Sequence, residues 1–179
     1  AAEFSHPSFR GRIGVARVDI TPPIGIYARN WGAAKHDIAN SIHRPLTLTA
    51  MVLSSAQDEG PLVIVDADLG WWKSPETARR FRSMILEEFA LPEPNLIVAL
   101  SHTHSGPPLM EPDDDLPGSD LLQTWKSDLD KKTIKAIRKA MDSQIECVLD
   151  WHTGRCGLAT VRDLSDPNPD NDQIICGFN

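Results

Sequence analysis

Residues 62 to 100 constrain the fold more than any other stretch of this chain. Leu62 to Val65 is a short apolar run ending in Asp66-Ala67-Asp68, and Leu96 to Leu100 is a second one. Runs of this length bounded by turn residues read as buried strands. Between them, Ser74-Pro75 is a helix start, with Ser74 as N-cap and Pro75 in the first helical position. Ala78, Phe81, Met84, Ile85 and Phe89 recur at helical spacing and form the buried stripe. Strand, helix, strand predicts a right-handed parallel crossover, with both strands delivering their carboxyl ends to one edge. The expected fold class is therefore α/β, a mixed sheet with flanking helices and a site at the carboxyl ends of its strands.

The second strand ends in Ser101-His102-Thr103-His104-Ser105-Gly106-Pro107. In an extended segment His102 and His104 point to the same side. Two neutral imidazoles there suit a divalent metal, or one binds it while the other moves a proton. A short H-x-H is also compatible with two polar loop histidines. The setting favours chemistry, because ligands of α/β sheets gather at strand carboxyl ends. Asp66 and Asp68 fall at the end of the neighbouring strand. They either hold His102 in its metal-binding tautomer or cap backbone donors.

The rest of the chain supplies the frame. Ile13 to Ile20 and Leu46 to Leu53 alternate as strands, and Gln57 to Gly60 is a turn. Ser119 caps a long helix carrying Leu122, Trp125, Leu129, Ile134, Ile137 and Met141. Its Lys131, Lys132, Lys135, Arg138 and Lys139 form a solvated face. Ile145 to Trp151 and Gly157 to Val161 read as strands, and residues 163 to 173 as loop. At 179 residues the expectation is one domain over residues 1–179. A net charge of −7 argues against a nucleic-acid footprint, and no apolar run reaches membrane-spanning length. Three cysteines at 147, 156 and 176 allow one bridge and a free thiol, or a fully reduced set. The start at Ala1 without Met fits either a processed secretory chain or an expression remnant, so localisation stays open.

Several segments together resemble the neutral/alkaline non-lysosomal ceramidases and their bacterial relatives. They are Gly14-Val-Ala-Arg-Val-Asp-Ile-Thr-Pro-Pro23 with Gly25, Ile42-His43-Arg44-Pro45-Leu46, Ser101 to Pro107, and Val161-Arg162-Asp163. The resemblance implies a zinc-dependent amidohydrolase in which His102 is a zinc ligand. It implies that His104 and Arg162 contact the reacting part of the substrate and that Gly25 belongs to the same pocket. The remaining zinc ligands of that family lie beyond residue 179, so the chain resembles the N-terminal part of a larger catalytic domain. Downstream sequence or a second chain would then complete the site. Two departures, Pro108-Leu109 in place of Gly-Gly and Val161 in place of Asn, shift the expectation from ceramide itself to a small-molecule or lipid amide. Two other functions fit the same residues: a non-catalytic small-molecule-binding relative, and a metal-binding subunit completed by a partner chain.

A zinc centre of this kind keeps one position for water and lowers its pKa to about 7. Arg162 is a permanent planar cation suited to a tetrahedral oxyanion, where one donor is commonly worth ~3 kcal/mol of barrier. His104 suits protonation of the leaving nitrogen or donation to the oxyanion. Of the other histidines, His43 begins a strand and is the more structural one. His36 shares its loop with Trp31. One of Trp71 and Trp72 is expected in the core and the other along the cleft wall.

Overall fold

The computed structural model describes residues 8–32, 34–55, 60–158, 163–165, 168, 170 and 174–176. Backbone contacts divide the chain into two compact units, Ser8–Leu149 and a smaller one formed by residues 150–179 with 1–7.

The larger unit is a mixed sheet with helices packed on it. Its strands are β1 (Ser8–Asp19), β2 (Thr47–Ser55), β3 (Leu62–Ala67), β4 (Leu96–Leu100) and β5 (Ile145–Asp150), in the order β4-β3-β2-β1-β5. β1 and β2 pair antiparallel, as do β2 and β3, whereas β3 and β4 run parallel. The helices are α1 (Pro75–Glu88) and α2 (Asp120–Asp142). The α/β class and the parallel β3-α1-β4 unit are as the sequence predicts.

Side-chain alternation sorts the two faces of the sheet. Ala16, Leu48, Ala50, Val52, Val63, Val65 and Leu96 are buried in one cluster with Phe81 and Ile85 of α1 and with Leu122, Trp125, Leu129 and Ile137 of α2. Trp125 also donates its indole N–H to the carbonyl of Ile20 at 3.0 Å, tying α2 to the end of β1. Gly14 lets the two elements close, since a Cβ there would overlap the Ala140 carbonyl. The opposite face carries a cross-strand row in register, Val15, Met51, Ile64 and Ile97. Val15 is 56% exposed and Ile97 46%.

The helix termini depend on local chemistry. At α1, Ser74 is extended and its hydroxyl accepts from the Thr77 amide at 3.2 Å, a true N-cap. At α2, Ser119 already has helical dihedrals, so its hydroxyl does not cap. It accepts instead from the Asp113 amide at 2.7 Å and pins the acidic loop before the helix. The solvated basic face of α2 is present, with Lys132 on Asp128 at 2.7 Å. Lys126 departs from it: only 5% exposed, it reaches Glu111 at 2.7 Å.

Three boundaries differ from the sequence reading. β1 begins five residues before Ile13; of the added residues, Gly11 and Arg12 pair with Ser55 and Ser54, which needs no apolar alternation. β2 begins at Thr47, so His43 precedes the strand rather than opening it. In the smaller unit Gly157 and Leu158 have no regular structure, and residues 159–161 lie outside the described ones. The stretch read as loop holds β6 (Asp163–Ser165) instead, paired antiparallel with β7 (Ile174–Cys176). The apolar signal for that ribbon sits in Ile174-Ile175, beyond the stretch that reads as loop. The turn at 57–59 also lies outside the described residues. Cys147 and Cys156 are free thiols. Among the described residues no helix is long and apolar enough to cross a membrane.

Candidate functional site

The parallel pairing of β3 with β4 continues one step past the strands: the Ser101 amide donates to the Ala67 carbonyl at 2.9 Å. The chain then turns rather than running on extended. His102 adopts φ +60°, a left-handed conformation uncommon for any residue with a Cβ. The expectation of an extended His-Thr-His segment is therefore corrected. The Ser105 amide closes the turn by donating to the Thr103 hydroxyl at 3.2 Å.

The two imidazoles nonetheless converge. Their ring centroids lie 5.3 Å apart, and both meet Trp71. Trp71 stacks on His102 at 5.1 Å and meets His104 edge-on at 5.7 Å. Trp31 stacks on His104 at 4.3 Å. Lys73 sits over the Trp71 ring at 4.5 Å, a cation–π contact. Trp72 turns inward to Phe81 at 5.3 Å, so the two neighbouring tryptophans divide between core and site as expected.

What sets these rings is a close approach of three loops. A Cβ on Gly70 would overlap the Asn30 amide nitrogen and crowd the Thr103 carbonyl. Asn30, Gly70 and Thr103 thus pack together, and the residues next to them in sequence are Trp31, Trp71 and the two histidines. Asn30 is 5% exposed, and among the described residues its Oδ1 has no hydrogen-bond partner. Buried orphan acceptors are rare and concentrate at strained or functional sites. Neither Asn30 nor Gly70 stands out in the sequence as a site residue. The Asn-Trp and Gly-Trp dipeptides, 40 residues apart, are the only trace of their contact.

The two aspartates separate. Asp66 is exposed on the sheet face away from the helices, in register with Thr49 and Ala99. Asp68 accepts the Thr47 amide at 3.0 Å and the Thr47 hydroxyl at 2.9 Å on one oxygen. The strand-end capping role is thus realised at Asp68. Asp68 also lines a pocket of about 580 Å³ shared with Thr103 and Ser105, the residues that alternate with the two histidines. His36 and His43 line it as well. Gly25 has φ +92° and donates to the Ala39 carbonyl at 2.8 Å, which turns its neighbour Ile24 into the pocket wall. Arg162 lies outside the described residues.

His102 and His104 are chemically suited to zinc, and 5.3 Å between rings is what a pair on one cation would show. With Zn–N near 2 Å and tetrahedral angles, the expected separation is about 5 Å. A catalytic zinc takes three protein ligands, however. Among the described residues no group of three His, Cys, Asp or Glu side chains converges. The spacing is thus compatible with two ligands on one cation, or with one ligand and a neighbouring imidazole.

No family model and no curated protein sequence matches the chain. Among solved structures, the crystal structure of neutral ceramidase from Pseudomonas aeruginosa shares its fold. The TM-score is 0.57 at 17% identity, over 80% of this chain and 23% of the ceramidase chain. The chain thus spans about a quarter of the length of that enzyme. At that identity the likeness is one of fold.

Proposed function

We propose that the chain is the N-terminal part of the catalytic domain of a zinc-dependent, ceramidase-like amidohydrolase. The observation that carries this reading is the convergence of His102 and His104 at the carboxyl end of β4, with His102 held in a strained left-handed turn. Such strain costs of order 1–3 kcal/mol and persists where the surroundings enforce it, typically at functional sites. The fold shared with a neutral ceramidase and the four resembling segments support the same reading. The exposed apolar row Val15, Met51, Ile64, Ile97 is the kind of sheet face that a further layer of a larger domain covers.

In this reading His102 is a zinc ligand, with the remaining ligands supplied by downstream sequence or a second chain. Zinc there would polarise the amide carbonyl and lower the pKa of the attacking water. His104, about one imidazole's reach away, donates a proton to the leaving nitrogen as the C–N bond breaks, giving a carboxylic acid and an amine. Trp31 and Trp71 stack on the two imidazoles and orient their planes, while both histidines stay exposed to solvent. Asp68, anchored on Thr47, holds the pocket edge. Asp66 remains a candidate partner for a zinc-bound histidine only if its side chain leaves the open face. The resemblance assigns Gly25 to the substrate pocket and Arg162 to the reacting part of the substrate; for Arg162 that assignment stands on sequence alone.

A second reading keeps the same pocket as the small-molecule site of a non-catalytic relative, because the described residues supply two convergent donors rather than three. Turnover separates the two. The 179-residue chain by itself is expected to cleave no amide, whereas the protein carrying the complete catalytic domain cleaves a long-chain N-acyl amide in a chelator-sensitive manner. Zinc-dependent cleavage by the 179-residue chain alone would mean that its own Asp66, Asp68, His36 or His43 completes the shell. No cleavage by the complete protein with zinc bound would favour the binding relative.

A further inference from the structure

The pocket beside the His-Thr-His turn has a composition that the amidohydrolase reading does not by itself explain. At about 580 Å³ it falls within the range of small-molecule sites, about 300–1,000 Å³. Ile24, Ile38, Ile42 and Leu46 give it apolar walls. Ile24, Ile38 and Ile42 are 58%, 37% and 50% exposed, so these walls face solvent with no protein group over them among the described residues.

The charged groups of this pocket are mostly basic. Lys35, His36, His43 and Arg44 all line it. Among the described residues neither Lys35 nor Arg44 has an ion-pair partner. Asp37, adjacent in sequence, is already engaged by Arg29 at 3.1 Å. Among the described residues the only acid in the lining is Asp68, one oxygen of which is held by Thr47. Among the described lining residues, two cations against one carboxylate leave a single uncompensated positive charge, and the two imidazoles add hydrogen-bonding groups. An apolar cleft with one surplus positive charge matches a monoanion on a hydrocarbon body. A neutral lipid would leave Lys35 and Arg44 without a function, and a dianion would exceed the charge available.

We propose that this pocket binds an amphiphile with an apolar chain and a carboxylate, so that the amide cleaved beside it belongs to the N-acyl amino acid class. The substrate assignment rests on the amidohydrolase reading; the binding assignment does not. Thr103 and Ser105 form the wall common to pocket and turn, while His102 and His104 point from the same turn to the tryptophans. The imidazoles of His102 and His104 are not in the pocket lining; an acidic amide seated there lies against Thr103 and Ser105, one residue along the chain from each histidine. The reaction is hydrolysis: water adds across the C–N bond, giving a fatty carboxylic acid and the free amine of an amino acid.

Binding is read without turnover, using decanoate and 1-decanol as probes of equal chain length and isothermal titration calorimetry on the purified protein. Decanoate is expected to bind at least tenfold more tightly than 1-decanol. The double variant Lys35→Gln/Arg44→Gln should lose at least tenfold for decanoate and little for the alcohol. Lys131→Gln/Lys135→Gln, the same charge change on the solvent face of α2, should bind like wild type. A carboxylate held by a metal at His102 would survive the Lys35/Arg44 change, so retained decanoate affinity in that variant overturns the proposal. Equal binding of acid and alcohol overturns it as well. If decanoate binds as stated but the zinc-loaded complete protein cleaves an uncharged long-chain N-acyl amide and not N-decanoylglycine, the substrate class is overturned; if it cleaves neither, the pocket assignment stands and the hydrolase reading falls.

Discussion

Replacing His104 with alanine is expected to lower amide turnover by at least a hundredfold while leaving zinc in place. The two imidazoles differ in their surroundings. His102 is fixed through its backbone at φ +60° and through the face of Trp71, which suits a ligand that must not move. His104 is clamped against Trp31 at 4.3 Å with its ring 5.3 Å from that of His102. The resemblance, rather than this spacing, assigns His104 to proton donation. General acid catalysis by a positioned side chain is commonly worth about 10²- to 10⁴-fold. His104→Gln, which keeps a hydrogen-bonding edge but cannot shuttle a proton near neutral pH, should be as slow as His104→Ala. It should also flatten the limb of the pH–rate profile that reports the acid. Turnover within threefold of wild type in either variant would remove His104 from the chemistry. Zinc lost along with activity would make it a ligand instead.

The largest effect on stability is expected at Gly14, far from the site. It is buried on β1 where α2 crosses, and a Cβ would overlap the Ala140 carbonyl. The obstacle is main chain inside a helix, so no rotamer change relieves it; α2 must move away from the sheet. Overpacking typically costs about 1–3 kcal/mol, occasionally more, and this contact belongs at the upper end. Gly14→Ala is therefore expected to cost about 3 kcal/mol. For a chain of this size that lowers Tm by roughly 6–12 °C. Gly32→Ala is the control, because a Cβ at Gly32 would have no neighbour within 4 Å; it should stay within about 0.5 kcal/mol of wild type. A Gly14→Ala protein as stable as the Gly32→Ala protein would mean that α2 does not sit on β1 as closely as described.

Much of this architecture is legible in the sequence, for identifiable reasons. β3, α1 and β4 are short, apolar and punctuated by Ser74-Pro75 and by Pro92 and Pro94, so period and boundary agree. Their parallel pairing follows from the length of the crossover. The stripe on α2 is equally clear, and Ile134 and Met141 pack at its edge. Less is legible where contacts join distant loops. Nothing local in Asn30-Trp31 or Gly70-Trp71 announces that their side chains and backbone meet at Thr103. The left-handed turn at His102 is hidden too, since positive φ is uncommon for any residue other than glycine and the residues around it read as extended. Asp66 and Asp68 look equivalent as letters, and alternation alone would put both on one face; β3 ends at Ala67, and Asp68, one residue past it, turns to Thr47 and the pocket. β6 is hidden because its partner, not its own Asp-Leu-Ser, carries the apolar signal.

Metal content is the most direct test of the central claim. The complete protein, purified without chelator and exchanged into metal-free buffer, is expected to retain about one zinc per chain by atomic emission. His102→Ala, folded by circular dichroism, should retain almost none, because a catalytic zinc deprived of one of three protein ligands is poorly held. Undiminished zinc in the His102→Ala protein, or no zinc in the wild type after growth in zinc-supplemented medium, would contradict the account.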